Sequence, residues 1–438
     1  MDRRPPLTRA LVIVPVLPRG ARAVDGVTQH SPHDRLDETV GLAQAIDLDV
    51  ADGLVINVVS PRPGTLLGPG KVDELAHEIH ERDVGLVIVD HTVSPIQQRN
   101  LEMAWQAKVL DRTGLILEIF GRRARTREGR LQVELAHLTY QKGRLVRSWT
   151  HLERQRGGAG FLGGPGETQL EIDRRLIQER IDALKSELET VVRTRELHRA
   201  GRRRVPYPIC ALVGYTNAGK STLFNKITGA GVFAKDQVFA TLDPTMREVR
   251  LASGRRIILS DTVGFIANLP TMLVAAFRAT LEEVIEADLV LHVRDISHPE
   301  SAAQADDVAH VLGELGIVTE GPDSRIIEVW NKIDRLDELK REEVAHLVRR
   351  RDEAPVPVSA TTGEGVDSLL SVIDRELSAG EILREIKVLP EDGELLAWLH
   401  ANAEVLSRQS DEQGVTQLTV RLTPEKLSRL EARLARMA

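Results

Sequence analysis

One motif constrains the fold of this 438-residue chain more than any other feature. The residues GYTNAGKS (214–221) match the pattern Gly-x-x-x-x-Gly-Lys-Ser/Thr and follow the apolar run PICALV. Glycines let backbone N–H groups wrap phosphate oxygens, and the positive end of a following helix adds to the attraction. We expect Lys220 to reach the β- and γ-phosphates and the Ser221 hydroxyl to bind Mg²⁺. The motif therefore predicts a P-loop between a buried strand and a helix.

A second motif predicts which base is bound. The residues NKID (331–334) follow the predicted strand IIEVW. A carboxylate at Asp334 can accept both the N1–H and the exocyclic amine of guanine, whereas adenine presents an acceptor at N1. Asn331 is expected on the N7/O6 side and Lys332 over the base. Backbone N–H groups of the segment Ser359-Ala360-Thr361 could meet the guanine O6, so GTP and GDP are the predicted ligands.

Two segments between these motifs predict the response to the γ-phosphate. In DTVG (261–264), Asp261 is placed to hold the Mg²⁺ shell through water, and the Gly264 N–H to contact the γ-phosphate. In FATLDPT (239–245), either Thr241 or Thr245 could close on Mg²⁺ when GTP is bound. The five motifs together predict a Ras-like nucleotide domain over 207–380.

The residue after DTVG departs from Ras-like GTPases, in which a Gln orients the attacking water. Phe265 stands there and cannot make that hydrogen bond, so we expect slow intrinsic hydrolysis. Asn217 has two open interpretations. It resembles the Asn of potassium-activated GTPases, which helps to hold K⁺ against the phosphates, or it satisfies backbone groups of its own loop.

The predicted site is large. Its catalytic residues are Lys220, Asn217, Thr241 and Gly264. Its Mg²⁺ ligands are Ser221 and Thr241. Its GTP-binding residues are Gly214, Tyr215, Thr216, Asn217, Ala218, Gly219, Lys220, Ser221, Phe239, Ala240, Thr241, Leu242, Asp243, Asp261, Thr262, Val263, Gly264, Asn331, Lys332, Ile333, Asp334, Ser359, Ala360 and Thr361.

Charge is distributed unevenly along the chain. The net charge is −7, yet residues 121–160 carry ten Lys/Arg and three Glu, which gives +7 locally and −14 elsewhere. Apolar residues at helical spacing on both sides of the glycine-rich segment 157–169 predict an antiparallel helical hairpin over 126–200. A basic element on an acidic protein suggests a polyanionic partner. The predicted RNA-binding residues are Arg144, Arg147, Arg154, Arg156, Gly157, Gly158, Gly163, Gly164 and Gly166.

The remaining segments predict two further α/β units. Residues 1–125 alternate predicted strands (Leu11–Val16, Leu54–Val59, Leu86–Asp90, Leu115–Phe120) with predicted helices (Glu38–Ala45, Lys71–Glu81, Ile96–Gln106), which favours a parallel sheet. Residues 198–208 are predicted to be a linker. Residues 381–438 predict a small α+β domain with strands Ile386–Leu389 and Thr416–Leu422 and helices Gly393–Leu406 and Pro424–Met437.

The cysteine content and the apolar runs of the sequence bear on cellular location. A single cysteine, Cys210, excludes a disulfide framework and favours a packed core thiol. The apolar run Leu11–Leu17 is too short for a membrane span and is broken by Pro15. We expect a cytoplasmic monomer without stable membrane insertion, and peripheral membrane association is left open.

Nearly the whole chain resembles the HflX family of translation-factor-related GTPases. The resemblance rests on TREGRLQVELAHLTY (126–140), GGPGETQLEIDRR (163–175), GYTNAGKST (214–222), FATLDPT (239–245) and DTVGFI (261–266). It favours Thr241 as the switch threonine. It implies binding to the large ribosomal subunit near the peptidyl-transferase centre, and GTP-dependent splitting or rescue of stalled ribosomes under stress.

Two other functions remain open at this point. One is an RNA-remodelling enzyme with an additional ATP site in GTLLGPGKVDEL (64–75), a segment that lacks the P-loop spacing and favours a helix-entry turn. The other is a signalling switch with a protein partner, which would leave the basic hairpin unexplained.

Overall fold

The chain is described by a computed structural model. The described residues are 8–18, 30–155, 169–202, 207–229, 239, 245–267, 278–319, 321, 324–350, 354–378, 382–410, 414–422 and 424–437.

The N-terminal unit is a four-stranded parallel sheet with the order β2-β1-β3-β4. Its strands are β1 (Arg9–Val16), β2 (Asp49–Asn57), β3 (Leu86–Val89) and β4 (Lys108–Asp111). Its helices are α1 (Pro32–Gln44), α2 (Pro69–Glu81), α3 (Pro95–Trp105) and α4 (Arg112–Arg123). The predicted parallel α/β fold is confirmed. The segment 64–75 enters α2, with Gly68 as its N-cap, as the helix-entry interpretation required.

The predicted strand Leu115–Phe120 is wrong, because these residues belong to α4. The Asp111 side chain, at the end of β4, accepts from Gly114 N (2.8 Å) and so begins the helix. Five apolar residues of α4 are buried on more than one side: Leu115, Ile116, Leu117, Ile119 and Phe120. A helix covered on several sides lacks the one-sided apolar pattern that would distinguish it from a buried strand.

The hairpin consists of α5 (Arg127–Gln155) and α6 (Gln169–Arg202). Its helices run antiparallel, because Glu134 of α5 pairs with Arg180 of α6 (2.7 Å) and Arg127 with Glu187 (3.8 Å). The predicted hairpin is confirmed, although α6 continues to Arg202 through part of the predicted linker.

The nucleotide domain has a six-stranded sheet with the order β10-β9-β8-β5-β7-β6, in which only β6 is antiparallel to its neighbour. Its strands are β5 (Ile209–Val213), β6 (Thr245–Arg250), β7 (Arg256–Asp261), β8 (Leu289–Asp295), β9 (Ile326–Asn331) and β10 (Val356–Pro357). Its described helices are α7 (Lys220–Thr228), α8 (Arg278–Ile285), α9 (Ser301–Glu314), α10 (Glu338–Arg350) and α11 (Val366–Ser378). Cys210 is buried in β5, and burial raises its pKa to about 12.

The C-terminal unit is a three-stranded antiparallel sheet with the order β11-β13-β12. It comprises β11 (Ile382–Val388), α12 (Gly393–Asn402), β12 (Glu404–Ser410), β13 (Thr416–Leu422) and α13 (Pro424–Met437). The helix predicted to reach Leu406 ends at Asn402, and β12 was missed. The sequence of β12, EVLSRQS, is mostly polar, and its strand conformation depends on pairing with β13.

The N-terminal unit and the nucleotide domain share one apolar core. Phe120 of α4 meets Phe239 edge-on, with ring centroids 4.7 Å apart. Val263 and Phe265, next to DTVG, are buried in the same cluster. The nucleotide site is therefore built against the N-terminal unit.

Candidate functional site

The P-loop joins β5 to α7, as the sequence predicts. Gly219 precedes α7 with φ 93°, and a Cβ atom there would lie 2.3 Å from Asn331 Nδ2. No L side chain fits this position without strain. The same Nδ2 atom donates to the Ala218 carbonyl (2.8 Å), so the loop is held closely against the base-recognition motif.

Lys220 lies buried at the first position of α7. Its Nζ donates to the carbonyl oxygens of Gly214 (2.9 Å) and Tyr215 (2.8 Å). Burial lowers the pKa of Lys220 to about 8; the Asp261 carboxylate opposes this effect and the Lys332 ammonium adds to it. Polyphosphate oxygens would supply the missing negative charge, so this ammonium is suited to the predicted phosphate contact.

The predicted Mg²⁺ residues lie together. Ser221 Oγ donates to Asp261 Oδ2 at 2.7 Å. A hydroxyl and a carboxylate side by side are the oxygen donors that Mg²⁺ prefers. With Mg²⁺ bound, Ser221 would be a direct ligand and Asp261 would act through water, as in P-loop GTPases generally. Thr241 lies outside the described residues, together with Ala240, Leu242 and Asp243.

Gly264 lies against the P-loop. A Cβ atom at this position would be 2.9 Å from Thr216 Cγ2 and 3.0 Å from Lys220 Nζ. The next residue, Phe265, accepts from Thr216 N (2.7 Å) and donates its N–H to the Gly214 carbonyl (3.1 Å). Gly264 is therefore held beside Lys220, the lysine predicted to bind phosphate, and the Phe265 ring lies in the core.

The base-recognition segments converge on the same loop. Asn331 Oδ1 accepts from Ala360 N (3.0 Å), so Asn331 ties the Ser359–Thr361 segment to the P-loop. Lys332 Nζ pairs with Asp295 Oδ2 (2.7 Å). Asp334 lies in the short 3₁₀ turn Ile333–Arg335 and is partly buried. Their contacts with the guanine base stay predictions.

Some residues that are predicted to bind the nucleotide have side chains that point into the protein interior. The Thr262 hydroxyl donates to the Leu212 carbonyl (2.5 Å), and Val263, Ile333 and Ser359 are buried. The ring of Phe239 packs in the shared core against Phe120, so it is no side-chain ligand of the nucleotide in this structure. Asn217 is exposed with φ 60°, a conformation that asparagine tolerates.

Arg144, a predicted RNA-binding residue, has partners within the protein. Its guanidinium pairs with the buried carboxylate of Asp111 (3.0 Å), contacts Gln98, and lies over the Tyr140 ring (4.9 Å to the centroid). It therefore fastens the hairpin to the N-terminal sheet. The side chains of Arg147 and Arg154, together with Arg156, Gly157, Gly158, Gly163, Gly164 and Gly166, lie outside the described residues.

The sequence did not reveal that residues of the N-terminal unit reach the nucleotide domain. The buried guanidinium of Arg112 pairs with Glu38 and Asp90 and donates to the Ala267 carbonyl (2.8 Å). Glu38 also accepts from the Tyr215 hydroxyl. The available signal was an arginine, Arg112, three residues before the mostly apolar run 115–120.

A P-loop at the end of the central strand, with a guanine-type NKID loop beside it, places the chain among the P-loop GTPases. Residues 209–332 match a family model described as 50S ribosome-binding GTPase. Residues 33–121 and 123–202 match those described as GTP-binding GTPase N-terminal and GTP-binding GTPase Middle Region. Residues 345–438 match the HflX C-terminal domain. The chain belongs to the HflX family of GTPases.

Two relatives agree with this assignment. The chain is 52% identical over 413 residues to a GTPase HflX of Magnetococcus marinus, covering 94% of this chain and 93% of the relative. It is 42% identical over 397 residues to GTPase HflX of Escherichia coli K12, covering 90% and 91%. The crystal structure of the SsGBP and GDP complex is 23% identical, with a TM-score of 0.49 over 84% of this chain and 98% of that one. Among the described helices, none is long and apolar enough to cross a membrane.

Proposed function

We propose that this GTPase binds the large ribosomal subunit near its peptidyl-transferase centre and uses GTP to split or rescue stalled ribosomes under stress. The observation that carries the proposal is the match of residues 209–332 to a family described as 50S ribosome-binding GTPase. The local charge of +7 over residues 121–160 supports it, since ribosomal RNA is a polyanion.

We assign the candidate RNA contacts to the hairpin tip, meaning residues 147–166, because other basic side chains of the region have partners within the protein. Such partners are present for Arg130, Lys142 and Arg144 of α5 and for Arg122 of α4. The charge proposed for RNA is therefore that of Arg147, Arg154 and Arg156, next to the glycine-rich segment 157–166. Glycine backbone is suited to close approach in a narrow RNA cleft.

Hydrolysis is proposed to depend on the partner. The buried ring of Phe265 presents no polar atom to a water molecule, so the isolated chain is expected to turn over slowly with Mg²⁺. Large subunits would complete the site and raise the rate. A K⁺ ion at the exposed Asn217 is a second proposal, tested by comparing rates in K⁺ and Na⁺; equal rates in both salts would contradict it.

The sharpest test is co-sedimentation with purified large subunits, comparing GDP with a non-hydrolysable GTP analogue. Replacing Arg147, Arg154 and Arg156 with Gln should weaken binding and lower its salt dependence. Each lost phosphate contact is expected to reduce the log–log slope by somewhat under one unit. The matched control replaces Arg62, Arg247 and Arg375, which are exposed and distant in sequence from the hairpin.

The control removes the same charge and should bind like the wild type. An equal loss of subunit binding in both triple variants would show that net charge alone drives binding. That result would contradict the assignment of the RNA contacts to the hairpin tip. Equal binding to large subunits with GDP and with the GTP analogue would contradict the proposed GTP-dependent cycle.

We also propose that the chain acts as a cytoplasmic monomer. Its one cysteine is buried, which suits a reducing compartment. Light scattering after size exclusion tests the oligomeric state, and a dimer at micromolar concentration would contradict it.

A further inference from the structure

One peptide unit in the segment after Gly264 is held from two sides. The Ala267 N–H donates to the Tyr215 hydroxyl (2.7 Å), and the Ala267 carbonyl accepts from Arg112 Nη2 (2.8 Å). Tyr215 belongs to the P-loop, whereas Arg112 begins α4 of the N-terminal unit. Both hydrogen-bonding groups of a residue three positions beyond Gly264 are thus satisfied by side chains, one from each domain.

The groups that hold Ala267 are themselves fixed. The Tyr215 hydroxyl accepts from Ala267 N and donates its only proton to Glu38, so both of its hydrogen-bonding functions are used. Arg112 is held between Glu38 and Asp90. Asp90 is 1% exposed and Arg112 is buried, so water competes poorly for the bonds between these two residues.

The restraint extends to Gly264, whose N–H is predicted to contact the γ-phosphate. Phe265 is hydrogen-bonded on both backbone sides to the P-loop at Gly214 and Thr216. Gly264 lies so close to Thr216 and Lys220 that no Cβ would fit. Fixing Ala267 therefore limits how far the Gly264 N–H can move away from Lys220.

We propose that Tyr215 and Arg112 are positioning residues for GTP, which hold the segment Gly264–Ala267 so that the Gly264 N–H is preset for the γ-phosphate. The N-terminal unit thereby takes part in distinguishing GTP from GDP, through Arg112 and Glu38. Arg112 and Glu38 lie outside the predicted guanine-nucleotide motifs, and the Tyr215 hydroxyl acts within the protein although Tyr215 belongs to the P-loop. The inference rests on GTP binding by the chain and is independent of the proposed ribosomal partner.

The test uses the full-length chain with Tyr215→Phe, which keeps the buried ring and removes the one atom that holds Ala267 N. Arg112→Lys is the second variant, since it keeps a positive charge for Glu38 and Asp90 but cannot span to the Ala267 carbonyl as a guanidinium does. The matched control is Tyr140→Phe, which removes another tyrosine hydroxyl bonded to a carboxylate, the partly buried one that donates to Asp111 (2.7 Å).

The measurements are the dissociation constants of GDP and of a non-hydrolysable GTP analogue with Mg²⁺, together with the thermal midpoint of each variant. Tyr215→Phe and Arg112→Lys should lower the preference for the GTP analogue over GDP by roughly three- to tenfold, the effect of one hydrogen bond. Tyr140→Phe should leave this ratio unchanged, even if it lowers the thermal midpoint.

Three results would overturn the proposal. The first is an unchanged ratio in folded Tyr215→Phe. The second is an equal loss of both affinities, which would indicate general damage to the P-loop. The third is a raised ratio, which would mean that the segment is held away from the γ-phosphate. If Arg112→Lys does not fold, Tyr215→Phe decides alone.

Discussion

Among single residues, Asp334 is the one that we predict to select the base. It lies on the 3₁₀ turn after β9, and its neighbours Asn331 and Lys332 are fixed by contacts within the protein. Asn331 joins the P-loop to the Ser359–Thr361 segment, so its loss would disturb several loops at once. Asp334 instead leaves the scaffold intact when it is replaced, which makes it the better probe of base recognition.

Exchange of Asp334 for Asn should move nucleotide preference from guanine toward xanthine. The amide replaces one acceptor oxygen by a donor, and a buried mismatch of this kind costs about 3 kcal/mol, or roughly a hundredfold in affinity. Binding of GDP and XDP by titration calorimetry measures the change. Asp337→Asn, three residues on at an exposed position, is the control and should bind GDP normally. Unchanged GDP affinity in Asp334→Asn would exclude the assignment of NKID.

Among the elements, α5 shows where prediction from sequence succeeds and where it ends. Periodicity predicts the helix, because apolar residues such as Leu131 repeat at helical spacing, and Leu131 is buried. It does not predict that Arg144 turns toward the buried Asp111, which depends on how the sheet and hairpin meet. For the same reason the sequence favours a strand at 115–120: five of these six residues are apolar, and only tertiary packing decides their conformation.

Arg144→Gln should destabilise the protein and leave the tip of the hairpin unchanged. The variant removes the cationic partner of the Asp111 carboxylate, which is 2% exposed. Breaking such a buried pair costs about 2–4 kcal/mol of unfolding free energy. Urea denaturation measures it, and Arg147→Gln is the control, expected within about 0.5 kcal/mol of wild type. An Arg144→Gln protein as stable as the control would contradict the fastening role.

On the scale of the whole molecule, a histidine links the N-terminal unit to the nucleotide domain. His30 Nδ1 lies 2.6 Å from Glu300 and Nε2 lies 2.7 Å from Asp307. Hydrogen bonds to Asp307 and Glu300 raise the pKa of His30 to about 9, although burial opposes them. Imidazolium therefore holds the start of α1 against α9 at neutral pH.

The contact of His30 with Glu300 and Asp307 should weaken as the pH rises. Because the folded pKa is raised above 6.5, its stabilisation is full below pH 6.5 and is lost as the pH approaches about 9. Wild type should lose about 1–2 kcal/mol of unfolding free energy over this window, a value discounted for solvent screening, and His30→Gln should lose less. Urea titrations at several pH values measure both. Parallel pH profiles for the two proteins would contradict a protonated His30.

The core shared by two domains also has a consequence for the order in which the chain is made. The face of α4 that carries Phe120 is completed by Phe239, Val263 and Phe265, which are translated more than a hundred residues later. At about 5–20 residues per second, this apolar face stays uncovered for roughly 7–30 s during synthesis. A nascent chain in that interval presents a ready surface for chaperones, and stalling within residues 125–260 would leave it open to aggregation.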